Sequence, residues 1–154
     1  MMKENKREEK LCLFFASDYH FEMISLPYIN ENLKKNKDVV IMTENDLGNS
    51  VNKVISSINL NEEEKNRLNK IDWKNDELNK FKEVKNADKD GKELLIFVRE
   101  NYINNMNKNI ENWTNLKNVE IVDCYDINEV QNNAGEIAKQ YDNVLFSSGV
   151  EKMI

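Results

Sequence analysis

Apolar positions along the chain fall into five short runs: "LCLFFA" from Leu11, "DVVIMT" from Asp38, "ELLIFV" from Glu93, "VEIVDCY" from Val119 and "NVLFSS" from Asn143. Each is rich in Val, Ile, Leu and Phe with little polar alternation, as expected of strands buried on both faces. Helix-length segments separate them, so the pattern reads βαβαβ. The expected fold is α/β, a single three-layer domain of Rossmann-like or RecA-like type. Its mostly parallel sheet has five or six strands, with helices on both faces. Residues 1–9 form a charged tail, residues 10–154 the domain, and a polar helical segment spans about 59–91.

The helical segments carry their own signals. Ser17 or Asp18 can cap a first helix with Glu22 in its first turn and Phe21, Ile24, Tyr28 and Leu33 as apolar positions. Pro27 falls inside it, which predicts a kink or a late start near Leu26. A second helix is expected from Leu47 to Ile58, with Val51, Val54, Ile55 and Ile58 on one face. An Asn cap followed by three glutamates opens the third segment, whose stripe of Leu60, Leu68, Ile71, Leu78, Phe81 and Val84 is interrupted around "IDWKND". "KNADKDGK" reads as a polar loop, and Tyr102 to Trp113 and Ile127 to Gln140 as the last two helices.

The chain has 154 residues, the size of one ordinary domain. Its net charge of −6 repels nucleic-acid phosphates and anionic membrane surfaces. The first ten residues lack an apolar core of the kind a leader needs, and no apolar run approaches a membrane span, so a cytoplasmic location is expected. Cys12 and Cys124 are expected to be reduced and buried.

In open parallel sheets, ligands bind beyond the carboxyl ends of strands, where strand order reverses. Those junctions hold Ser17, Asp18, Tyr19 and His20; Thr43, Glu44, Asn45 and Asp46; Arg99, Glu100 and Asn101; Asp123, Cys124, Tyr125 and Asp126; and Ser147, Ser148 and Gly149. The first turn, "ASDYHFEM", has neither glycine nor lysine, and Asp18 would repel a phosphate, which excludes a Walker-type loop. "NADKDG" begins like a calcium loop, but its twelfth position is Phe97, where a bidentate glutamate is required. One histidine and two distant cysteines make no closed zinc site.

An enzymatic constellation would pair Cys124 with His20, supported by Asp18 or Asp126, if the first and fourth strands are neighbours. Alternatively Asp18, Glu44, Asp46, Asp123 and Asp126 could hold magnesium. The plain readings are a cysteine within a buried strand, a histidine capping a helix and solubilising loop carboxylates. Tyr19, Tyr125, Trp73 and Trp113 could line an apolar pocket or pack as ordinary core and rim.

"LCLFF" followed by "LPYINENLKKNKDVVIMT", then "NMNKNIENW" leading into "VEIVDCYD", and finally "YDNVLFSS", together resemble MEDS domains, a prokaryotic sensory family. The resemblance spans about residues 11 to 148. Lys10 stands where that family often has histidine, and "VREN" replaces its usual Gly-Glu. What the resemblance implies is a fold related to RecA or KaiC ATPase domains, with the phosphate loop lost, used for sensing in signal transduction. On this reading Asp18, His20, Asp123 and Asp126 form a polar rim and Tyr19 and Tyr125 its apolar walls.

The expected function is therefore a non-enzymatic regulatory domain. It would bind a small ligand or a signalling partner through Ser17, Asp18, Tyr19, His20, Glu44, Asp123, Tyr125 and Asp126. No cofactor, nucleic acid or membrane is implied, and a homodimer is compatible. The alternative is a small α/β enzyme using Cys124 and His20 or a magnesium-binding rim. A third possibility is an interaction module that captures a partner through the Trp73 segment.

Overall fold

The five apolar runs become strands. A computed structural model describes residues 10–43, 45–74, 77–99, 119–130, 132–146 and 149–152. The elements are β1 (Lys10–Phe15), α1 (Asp18–Lys34), β2 (Asp38–Met42), α2 (Gly48–Ser57), α3 (Glu62–Asn69), α4 (Glu77–Lys89), β3 (Leu94–Arg99), β4 (Val119–Asp126), α5 (Ile127–Val130), α6 (Ala134–Ala138), β5 (Asn143–Phe146) and β6 (Gly149–Lys152). They build a six-stranded sheet in the order β2-β3-β4-β1-β5-β6. The ladders joining β2, β3, β4, β1 and β5 are parallel, and β6 runs antiparallel to β5.

Successive strand residues face opposite sides of a sheet, and here both sides are covered. Leu11, Leu13, Phe15, Ile41, Leu95, Phe97, Val122 and Cys124 pack under α1, α2 and α3, with Phe21, Ile24, Val51, Val54, Ile55 and Leu68 in the same cluster. On the opposite face Val40, Met42, Leu94, Ile96 and Val98 meet Val84 and Ala87 of α4. Cys12 and Val144 meet Ala138 of α6 on that same side of β1. The domain is thus a three-layer α/β sandwich. The chain leaves β1 through α1 on the first face and leaves β4 toward α6 on the second, and β1 and β4 are neighbours. Their carboxyl ends are therefore a point where the connections diverge.

Three expectations about local structure are corrected in whole or in part. Of the kink or late start expected at Pro27, the late start is absent: helix α1 starts at Asp18 with Ser17 as N-cap and continues to Lys34 with Pro27 inside it. Pro27 is exposed, while Phe21, Ile24, Leu26 and Ile29 are buried on both sides of it. Packing holds the two halves in one helix despite the missing donor. "KNADKDGK" is not wholly a loop: α4 runs through it to Lys89, because Val84 and Ala87, three residues apart, are both buried against the sheet. The turn follows at Gly91, whose φ of 71° suits glycine.

The third correction concerns Ile127 to Gln140, which forms two short helices where one was expected. Among the described residues of α5 and α6 Ala138 alone is buried, so no continuous apolar face holds a longer helix together. In the run "NVLFSS" the strand Asn143–Phe146 forms as expected, Ser147 and Ser148 lie outside the described residues, and the next strand returns from Gly149, whose φ of 122° only glycine adopts readily. The interruption at "IDWKND" separates α3 from α4, and Trp73 within it is buried, its indole N–H donating to Leu68 O at 3.0 Å. A partner therefore does not reach the Trp73 ring from solvent. The expected helix from Tyr102 to Trp113 lies outside the described residues.

Candidate functional site

The turn after β1 is held by its own side chains. Ser17 has an extended backbone, and its Oγ accepts from His20 N at 3.1 Å, the bond an N-cap makes. His20 Nδ1 accepts from Ala16 N at 2.8 Å. On the β4 side, Asn128 Nδ2 donates to Ala16 O at 3.2 Å, and Asn128 N donates to Asp126 Oδ1 at 2.9 Å. Ser17, His20 and Asp126 are thus drawn around one backbone residue, Ala16. Of the backbone donors around this turn, those of Ala16, His20 and Phe21 are used internally.

Asp18 looks the other way. Its Oδ1 lies 2.8 Å from Arg99 Nη2, at the carboxyl end of β3. Arg99 is only 3% exposed, with its guanidinium 4.4 Å from the Phe15 ring centre and 5.0 Å from that of Phe21, distances at which a cation is attracted to the ring face. One turn further along α1, Glu22 is fully buried and accepts the Ser50 hydroxyl of α2 on Oε2. Its Oε1 is buried and has no hydrogen-bond partner among the described residues. Burial pushes the Glu22 carboxyl above its usual range; the Ser50 bond opposes this, Asp18 adds to it, and Arg99 opposes it.

Sequence reasoning had Arg99 at a junction and Glu22 in a first turn, but did not join them. The signal was present: Asp18 and Glu22 are four residues apart and share one helix face, and Arg99 closes an otherwise apolar buried strand.

Asp123 and Tyr125 lie on the face of β4 opposite Cys124. Tyr141 OH donates to Asp123 Oδ2 at 2.5 Å, and the Tyr125 and Tyr141 hydroxyls are 2.6 Å apart. Burial first, then the Asp123 charge, pushes the Tyr141 hydroxyl far above its usual range. Tyr125 also stacks on Phe14, with ring centres 5.9 Å apart. The proposed rim residues thus divide into three groups: Ser17, His20 and Asp126 around Ala16, Asp18 with Arg99, and Asp123 with Tyr125 through Tyr141. Tyr19 joins none of these and is 61% exposed. Glu44 lies outside the described residues.

The first and fourth strands are neighbours, with Leu13 opposite Cys124. Cys124 has no exposure, and its Sγ donates to Val122 O at 3.5 Å. Burial, followed by the Asp123 charge, pushes its thiol well above the usual value. Burial also pushes the Cys12 thiol up, to about 12. The thiolate is the reactive form, so this environment disfavours the nucleophile that the Cys124–His20 arrangement requires. His20 is exposed and its Nδ1 is engaged by Ala16. Among the described residues no group of three or more His, Cys, Asp or Glu side chains is placed to hold a metal ion. No described helix is long and apolar enough to cross a membrane.

Comparison with protein-family profiles, with curated proteins and with solved structures finds no match to this chain.

Proposed function

We propose that this chain is a non-enzymatic regulatory domain that engages a partner protein at the carboxyl-terminal rim of the sheet, on the side formed by β1, β5 and β6. The carrying observation is where large apolar side chains meet solvent. Among the described residues these are Tyr19 at 61%, Phe146 at 43% and Val150 at 41% exposure. Tyr19 lies in the first turn of α1, which follows β1; Phe146 ends β5, the neighbour of β1; Val150 is the second residue of β6, opposite Leu145. All three lie near the carboxyl end of β1 and β5, with Val150 on the same sheet face as Leu145 and α1, and Phe146 on the opposite face beside Val144. Large apolar side chains exposed along one rim are the kind found at interaction surfaces, where aromatic residues are enriched.

The chemistry beside this edge supports recognition over catalysis. The Ser17 hydroxyl and His20 Nδ1 are engaged in fixing the β1 turn, the Arg99 charge is held by Asp18, and the Cys124 thiol is sealed. The large apolar side chain that this turn exposes is Tyr19. A sensory role of the MEDS type, in which a RecA-like or KaiC-like fold has lost its phosphate loop, is part of this proposal and rests on the sequence resemblance.

Photo-crosslinking from position 19 tests the reading, with position 36 in the α1–β2 turn as the control. The expected result is one discrete adduct from position 19 in cell extract, absent from position 36. Equal labelling from both positions, or none from either, would refute a docking rim.

A further inference from the structure

At the opposite end of β2, away from the rim, a cleft of about 420 Å³ opens between α3 and α4. That volume lies within the range of small-ligand sites. Its walls carry opposite charge. Arg67 and Lys70 stand at the end of α3; Glu83 and Asp90 stand on α4 and the turn after it; Val39 and Ala87 contribute apolar floor between them.

The groups on the two walls do not satisfy one another. Arg67 pairs with Glu63 of its own helix at 3.3 Å, which leaves its Nε buried with no hydrogen-bond partner among the described residues. Lys70 makes no ion pair, and Glu83 makes neither an ion pair nor a hydrogen bond, among those residues. Glu83 is half-buried, and burial first, then the Asp72 and Asp38 charges, pushes its carboxyl above the usual range, against the pull of Lys80. Asp38, also on the cleft, is occupied by Lys92 at 3.8 Å.

A buried donor and a partly buried carboxylate that lack partners cost free energy unless something else completes them. A simple anion entering the cleft would meet Glu83 and Asp90. A simple cation would meet Arg67 and Lys70. A molecule with a carboxylate at one end, an ammonium at the other and an apolar body between them complements both walls and the floor at once.

We propose that this cleft is a binding site for a small amino carboxylate, a free amino acid or an ω-amino acid. Its carboxylate lies toward Arg67 and Lys70 and its ammonium toward Glu83. The site is independent of the docking rim, since it lies on the far side of β2 and shares no residue with it.

Isothermal titration of the full chain tests this with L-leucine, 4-aminobutyrate and 6-aminohexanoate as probes, and with hexanoate and hexylamine as singly charged controls. The expected result is saturable binding of at least one amino carboxylate, about tenfold or more tighter than either control. Glu83→Gln and Lys70→Gln should each weaken it by about tenfold, while Tyr19→Ser leaves it unchanged. Asp90→Asn, at an exposed position, serves if the Glu83 variant does not fold, and should also weaken binding. The proposal is overturned if no probe binds at about 10 mM, if a singly charged control binds equally well, or if the wall variants keep full affinity.

Discussion

Asp18 closes over Arg99: carboxylate and guanidinium meet at 2.8 Å, with the arginine 3% exposed and the aspartate side chain 41% exposed. A charge is thereby held at the carboxyl end of β3 by a residue of α1, which ties the first helix to a strand two places away in the sheet. Asp18→Asn removes the countercharge and keeps the shape. Because Asp18 is partly solvated, the expected loss is about 1–2 kcal/mol, below that of a fully buried pair. Urea denaturation measures it, and an unchanged midpoint would show that the pair contributes nothing.

Glu22 and Glu64 should respond to pH with opposite sign. The folded-state pKa of Glu22 is raised above 4.5, chiefly by burial, so the folded chain holds that proton more tightly than the unfolded chain. Its contribution is fully present below the unfolded value and is lost as pH rises through the folded one. Glu22→Gln, which keeps an acceptor for Ser50, should therefore be more stable than the parent at pH 7, and the gain should vanish at pH below 4.5.

Glu64 accepts from Asn30 at 2.9 Å and from Asn61 N at 3.0 Å, and it pairs with Lys34 at 3.0 Å. The Asn30 bond, then the Asn61 bond, lower its pKa from 4.5 to about 2. That stabilisation is present above 4.5 and lost as pH falls toward 2. Glu64→Gln should be less stable at pH 7, and the difference should close in acid. Thermal melts of parent and variant across this range decide both signs.

Lys80 is buried, and its Nζ donates to Ile41 O on the edge strand β2 and to Lys74 O at 2.6 Å. Lys80→Met fills the same space but leaves a buried strand carbonyl without this donor. The expected cost is about 2 kcal/mol, read from chemical denaturation.

Neither cysteine should react with a thiol reagent at pH 8 while the chain is folded, since both are buried and both thiols are shifted upward. Both should react once the chain is unfolded. Rapid modification of one equivalent in the native protein would return Cys124 to consideration as a nucleophile.

The sheet was legible in the sequence because its strands are buried on both faces and so read as unbroken apolar runs. The Asn61 cap was equally legible, because Asn followed three positions later by Glu64 forms a capping box whose two bonds are both made. Less legible were elements decided by single buried contacts. Val84 and Ala87 carry α4 through a segment whose composition reads as loop, and Ala138 alone is too little to join α5 to α6.

The candidate site was half legible. Ser17, Asp18 and His20 were visible as turn residues, but which of them bonds inward depends on Ala16, Arg99 and Asn128, and Arg99 of β3 and Asn128 of α5 arrive from elements distant in sequence. The cleft at the other end of β2 was not foreseen, because its two walls come from helices whose mutual placement no local pattern encodes.

Native mass spectrometry of the gently isolated chain, alongside a Tyr19→Ser, Phe146→Ser double variant, tests the docking rim most directly. Both side chains are exposed, so the double variant should melt within a few degrees of the parent. A bound protein of defined mass on the parent, missing from the variant, is the predicted result. A bare chain in both preparations, or a bound protein that survives both substitutions, would contradict it.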